Sequence, residues 1–104
     1  MTRFTPPPDS AFEPDARTLL GSLSVQAGFV RGRLARAVDL PTTWALVTEW
    51  ESVGSYRRGL GAYDVKVATA PLLAWSVLEP SAYDVVAAAD DAQATAVPPS
   101  SRAR

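Results

Sequence analysis

The period of the apolar positions changes several times along the chain, and each change marks an element. From Trp44 to Trp50 the residues alternate, with Trp44, Leu46, Thr48 and Trp50 on one face of an extended segment and Ala45, Val47 and Glu49 on the other. Neither face is plainly solvent-facing, as expected of a central strand. Upstream, Phe12, Ala16, Leu19, Leu20 and Leu23 fall at i, i+4, i+7, i+8 and i+11, opposite Asp15, Arg17 and Ser22, which predicts an amphipathic helix. Ser10-Ala11-Phe12-Glu13 has the spacing of a capping box and Pro14 suits a first helical position, so the helix starts between them. It is expected to end near Gln26-Ala27-Gly28, with glycine in the left-handed cap. Phe29 to Val38 alternates again, placing Phe29, Arg31, Arg33, Ala35 and Ala37 on one side and Val30, Gly32, Leu34, Arg36 and Val38 on the other. Asp39-Leu40-Pro41-Thr42 is a turn short enough to make the strand from Thr43 to Trp50 an antiparallel neighbour.

Beyond Trp50, Ser52 is read as the cap of a second helix carrying Val53, Tyr56 and Leu60. Gly54, Gly59 and Gly61 each weaken that helix by about 1 kcal/mol relative to alanine, and a break is expected near Gly61. Asp64 then caps a short piece from Val65 to Ala70, and Pro71 ends it before an apolar turn of Leu72, Leu73 and Trp75. Met1 to Thr5 reads as a stunted first strand, cut off by Pro6, Pro7 and Pro8, and Ala82 to Ala87 reads as the last strand. From Ala88 onward only Val97 is a large apolar residue, so a domain over 1–87 is expected to be followed by a disordered tail over 88–104. The order strand, helix, strand, strand, broken helix, strand predicts an α+β, ferredoxin-like split βαβ fold with a four-stranded antiparallel sheet. Its helices cover one face of that sheet. The uncovered face predicts a homodimer through sheet packing.

Composition narrows the function. With 104 residues and 47% hydrophobic content the chain is one ordinary domain, and its net charge of −1 provides no field to attract nucleic acid or an anionic membrane. No stretch reaches the roughly 20 apolar residues of a membrane span, and the opening residues lack a signal core, so a cytoplasmic location is expected. The chain has neither Cys nor His, which removes disulfides, thiolate nucleophiles, most zinc sites and the commonest neutral-pH general base. The split βαβ fold also hosts RNA-binding domains, but their aromatic and Gly-rich signature on the central strand is missing.

Gln26-Ala27-Gly28-Phe29, the strand pair joined by Asp39-Leu40-Pro41, and Val47-Thr48-Glu49-Trp50-Glu51-Ser52 together resemble the antibiotic biosynthesis monooxygenase domain, over about Arg3 to Val86. The resemblance implies ferredoxin-like subunits that pair into a dimeric α+β barrel. It implies activities ranging from oxygenation of phenolic polyketides without metal or cofactor, through haem degradation, to domains with no reaction at all. Haem degradation is disfavoured, because the iron-ligating His of those relatives falls here on Thr69 and their haem-pressing Trp falls near Gly59. Relatives also place an Asn on the first strand, and this chain contains none. That first strand is also shorter than the family's, which raises the expectation of a start codon upstream of Met1.

The remaining candidates for chemistry are Trp44, Trp50, Tyr56, Tyr63, Trp75, Arg31, Arg33 and Arg36. For an oxygenation in which the substrate supplies the electrons, the protein need only enclose a phenol, favour its anion and admit oxygen. Arg33 and Tyr56 are the residues selected for that role, with Trp44, Trp50, Tyr63 and Trp75 as pocket walls for a small aromatic ligand. Aromatic residues at these spacings are more often core or dimer interface, and Trp50 is above all structural. The strand arginines also suit an edge that resists aggregation, while Arg57-Arg58 reads as a solvated helix face. Glu49 and Asp64 are possible bases, although capping alone accounts for Asp64. A non-catalytic binding or dimerisation module, or an auxiliary subunit acting on another enzyme's product, has the same pattern.

Overall fold

The computed structural model describes residues 1–89, so the tail expected over 88–104 lies almost wholly outside the described residues. Strand β1 (Thr2–Phe4) leads to helix α1 (Phe12–Ser24), strands β2 (Phe29–Arg36) and β3 (Trp44–Trp50), and helices α2 (Val53–Leu60) and α3 (Tyr63–Thr69). A 3₁₀ segment over Ala70–Trp75 follows. The sheet is antiparallel in the order β1-β3-β2, which makes β3 central, as its two-faced apolar pattern requires. In register, Phe4 lies opposite Trp44 on one side of the sheet and Leu34 opposite Leu46 on the other.

The expected fourth strand is absent among the described residues: residues 82–87 carry no ladder. The free edge of β1 is met instead by the chain leaving the 3₁₀ segment. Thr5 N–H donates to the Trp75 carbonyl and Val77 N–H to the Arg3 carbonyl, each at 2.9 Å, around an isolated bridge between Phe4 and Ser76. Strand β1 is three residues long, so its edge soon runs out, and the fully exposed Leu78 offers no packing to extend the pairing. Residues 78–86 therefore run as an irregular strap. It is fastened where Arg3 Nε donates to Glu79 Oε2 at 2.7 Å, and it is turned inward by the Tyr83 hydroxyl donating to the Pro80 carbonyl at 2.9 Å.

A bulge at Val30 changes the expected alternation of β2. Phe29 pairs with Trp50 and Arg31 with Glu49, so one extra residue sits between them and Phe29 turns to the same face as Gly32 and Leu34. That face meets the helices. Phe4, Phe12, Ala16, Leu19, Leu23, Leu46, Trp50, Val65, Ala68 and Leu72 form the buried core there, each large side chain contributing about 1.5–3 kcal/mol. The opposite face carries Arg3, Arg31, Arg33, Ala35, Ala45, Val47 and Glu49 by register. The tryptophans thus all belong to the helical side, and the outer face is small-apolar and arginine-rich.

The helix ends differ from expectation in instructive ways. Ala11, not Ser10, precedes α1 and gives no side-chain cap, because the Ser10 hydroxyl donates to the Pro7 carbonyl at 2.8 Å. Pro14 is tolerated in the first turn, where its missing N–H has no helical partner. The helix stops at Ser24, so Gly28, with φ of +87°, serves the turn into β2 and does not cap α1. Ser52 does cap α2, accepting from Ser55 N–H at 3.0 Å, and α2 ends at Leu60 with Gly61 following. Helix α3 starts at Tyr63, which puts Asp64 inside the first turn, where its charge suits the helix dipole, instead of at the cap.

Candidate functional site

A cavity of about 240 Å³ opens where β3 runs into α2 and the strap crosses over both. From β3 come Thr48 and Trp50, from the first turn of α2 Ser52, Val53, Tyr56 and Arg57, and from the far side Met1 and Ser81 to Asp84. Strand β3 ends because Ser52 stays extended, at φ −155° and ψ 163°, while its hydroxyl takes up the first free helical N–H. The helix then presents Ser52, Val53, Tyr56 and Arg57, at i, i+1, i+4 and i+5, to one side.

That start is held from behind. Ser55 is buried, and its hydroxyl lies 3.0 Å from that of Ser52. Gly28 packs so closely on it that an added Cβ would sit 2.3 Å from Ser55 Oγ. The Gly28 carbonyl accepts from Glu51 N–H at 2.8 Å, joining the β2 turn to the end of β3.

Trp50 is the best-fixed wall. Its indole Nε1–H donates to Thr48 Oγ1 at 2.9 Å, which satisfies the ring's polar atom in a nearly buried position. Phe29 meets it edge-on with centroids 5.3 Å apart, and Tyr56 meets it edge-on at 6.1 Å. Arg57 and Asp84 supply one positive and one negative side chain to the rim. On the strap, the Arg3 hydrogen bond holds the Glu79 carboxyl below the usual carboxylate range. Among the described residues no group of three or more His, Cys, Asp or Glu side chains is placed to hold a metal ion, and no helix is long and apolar enough to cross a membrane.

Of the residues selected from sequence, Trp50 and Tyr56 come together on this cavity. Trp44 lies at the other end of β3, half-buried against Phe12 at 5.4 Å, with the Arg36 guanidinium 5.4 Å over its ring. Trp75 packs against the core from the 3₁₀ segment, and Tyr63 is 83% exposed at the start of α3. Arg33 stands across the sheet, in a second hollow with Arg31, Val47 and Glu49, where Arg31 Nε is 3.0 Å from Glu49 Oε1. Arg33 and Tyr56 therefore do not share a cavity within one chain. Thr69, where haem-degrading relatives carry the iron ligand, donates its hydroxyl to the Val65 carbonyl at 2.7 Å.

Sequence reasoning missed Thr48, Ser52, Val53, Arg57 and the strap residues as lining. The first four had a signal: once Tyr56 is chosen, helical spacing brings Ser52, Val53 and Arg57 to its side, and strand alternation brings Thr48 beside Trp50. The strap had none, because it was read as a strand.

No model of a known protein family matches the chain, and no curated protein matches it. Solved structures do. SnoaB, a cofactor-independent oxygenase from Streptomyces nogalater, is 25% identical, with a TM-score of 0.65 over 82% of this chain and 91% of that one. A protein from Nitrosomonas europaea proposed to be an antibiotic biosynthesis monooxygenase is 16% identical, with a TM-score of 0.66 over 76% and 77%. Rv0793 from Mycobacterium tuberculosis is 22% identical, with a TM-score of 0.66 over 88% and 93%. At those two lower identities the likeness is one of fold. With the Gly28-Phe29 to Ser52 pattern, the likeness to SnoaB makes this α+β chain similar to the antibiotic biosynthesis monooxygenase-like proteins, and the other two neighbours share its fold.

Proposed function

We propose that the chain is a cofactor-independent monooxygenase acting on a small aromatic or polyketide-like phenol in the cavity between β3, α2 and the strap. The observation that carries this reading is an aromatic-walled cavity with one cation and one carboxylate on its rim, in a chain 25% identical to a cofactor-independent oxygenase. A substrate with an acidic C–H beside a phenol loses that proton, and Asp84, the carboxylate on the cavity rim, accepts it. Arg57 stabilises the resulting anion, and Tyr56 offers its hydroxyl to the oxygen that carries the charge. The anion reduces dioxygen and captures it as a peroxide at the same carbon. Loss of water leaves a carbonyl, so CH₂ and O₂ become C=O and H₂O with all electrons supplied by substrate. Tyr56 keeps the part suggested by the sequence. The cation in this reading is Arg57, since Arg33 lies beyond the sheet.

A second reading, a non-catalytic binding module, draws on the exposure of Arg57 and Asp84, whose charges are less preorganised than those of a closed site. Oxygen uptake with an anthrone such as dithranol separates the two: saturable uptake that falls in Tyr56→Phe and Arg57→Gln supports catalysis, and uptake no greater than in buffer leaves binding alone. In the same proposal a second copy covers the outer sheet face, where Val47 is 39% exposed between Arg33 and Glu49. A monomeric mass by light scattering at micromolar concentration contradicts that assembly.

A further inference from the structure

We propose that Gly59 determines the substrate specificity of the cavity: the missing side chain at this position sets how far the Trp50 indole withdraws, and hence how many fused rings the cavity admits. The inference rests on reading the cavity as the substrate site. A Cβ at residue 59 would stand 2.5 Å from Trp50 Cη2, 2.9 Å from Cζ3 and 3.4 Å from Cζ2, against the outer edge of the six-membered ring. Carbon atoms settle at about 3.5–4.0 Å, so any side chain there displaces the ring by about 1 Å or more. The ring has few ways to go. Phe29 meets it edge-on at 5.3 Å, Tyr56 stands edge-on at 6.1 Å, and the Nε1–H bond to Thr48 ties the pyrrole end. Trp50 itself lines the cavity, so a displaced ring changes the room there.

The glycine is costly where it stands. Inside α2 it weakens the helix by about 0.5–1 kcal/mol relative to alanine, and it is buried, so exposure to solvent does not account for it. Gly54, in the same helix, has near its would-be Cβ the flexible end of Arg58 at 3.3 Å and the Ser52 hydroxyl at an ordinary contact distance of 3.7 Å, with no ring against it, and so provides a control. Gly59 is a positioning residue that acts through Trp50 and need not touch substrate.

The test measures binding of phenol, 1-naphthol and 1-hydroxyanthraquinone to wild type, Gly54→Ala, Gly59→Ala and the double variant Gly59→Ala/Trp50→Phe. Alongside it, the Trp50 indole N–H resonance is followed, assigned by its loss in Trp50→Phe. In Gly59→Ala the expected result is roughly tenfold weaker binding of the three-ring probe, with phenol changed less than about twofold, in line with the cost of a misplaced methyl-sized group in a pocket. The indole resonance shifts, Gly54→Ala behaves as wild type, and the smaller Phe ring restores three-ring binding in the double variant. Equal weakening of all three probes with no restoration overturns the specificity role, leaving Gly59 a packing residue. An unmoved indole resonance in Gly59→Ala overturns the inference alone, and a wild type that binds none of the probes overturns it together with the site reading.

Discussion

Replacing Gly28 by alanine should be among the most damaging single-methyl changes in the chain, and its cost follows from two separable causes. The backbone there sits at φ +87°, a region that costs an L-residue about 1–2 kcal/mol. The new Cβ would also lie 2.3 Å from Ser55 Oγ and 2.4 Å from Ser55 Cβ, and Ser55 cannot swing away because it is buried within the cap of α2. Overpacking of this kind costs about 1–3 kcal/mol. The sum is about 2–5 kcal/mol, a large share of the stability of a small domain. Urea denaturation followed by circular dichroism measures it. Gly21→Ala is the control, since nothing lies within 4 Å of its would-be Cβ in α1, and it should gain about 0.5–1 kcal/mol. Adding Ser55→Gly to Gly28→Ala should recover the steric part and leave the backbone part. A Gly28→Ala protein as stable as wild type would refute the reasoning, and equal effects at Gly21 and Gly28 would do so too.

Other outcomes follow from the same contacts. Leu72→Ala removes the most completely buried side chain of the 3₁₀ segment and should cost about 2–5 kcal/mol in the same urea titration, without changing which ligands bind. The Glu79 carboxyl, followed by NMR, should titrate below the carboxylates of the unfolded chain and return to their range in Arg3→Gln. Because its native value is depressed, the strap fastening is complete above the unfolded carboxylate range and is lost as pH falls through that native value. An unshifted Glu79 midpoint would remove the Arg3 fastening. Tyr56→Phe keeps the edge-on contact with Trp50 and deletes only the hydroxyl, so it should lower turnover roughly 10²-fold or more with little change in ligand binding; loss of binding with unchanged turnover would contradict that role.

The pattern of side chains was a good guide wherever one period ruled a whole element. Trp44 to Trp50 had to be central because both faces were apolar, and Ser52 had to cap because it followed the last strand residue and preceded a helical stripe. Reading failed where a single residue broke the period. The bulge at Val30 sends Phe29 to the helices while Arg31 and Arg33 go to the other face, and no alternation count shows one extra residue. The last strand failed for a different reason. Ala82 to Ala87 has strand-like composition, but pairing is decided by how briefly β1 offers an edge, which is a tertiary fact. The cavity inherits both kinds of outcome: of its walls on β3 and α2, Trp50 and Tyr56 were selected from sequence and the rest, though missed, share their periodicity, while the wall made by the strap does not. Arg33 was chosen for its charge alone, and charge does not reveal which face of a sheet a residue occupies.

The central claim is that the cavity between β3, α2 and the strap oxidises a phenolic substrate with dioxygen and no added cofactor. The most direct measurement incubates metal-stripped protein with dithranol under ¹⁸O₂ and follows product by mass spectrometry. The account predicts catalytic formation of the carbonyl product carrying one labelled oxygen atom, with the second reduced to water, and inhibition by a ligand that occupies the cavity. Product formation no faster than the protein-free autoxidation control, or label arriving from water instead of dioxygen, would contradict it.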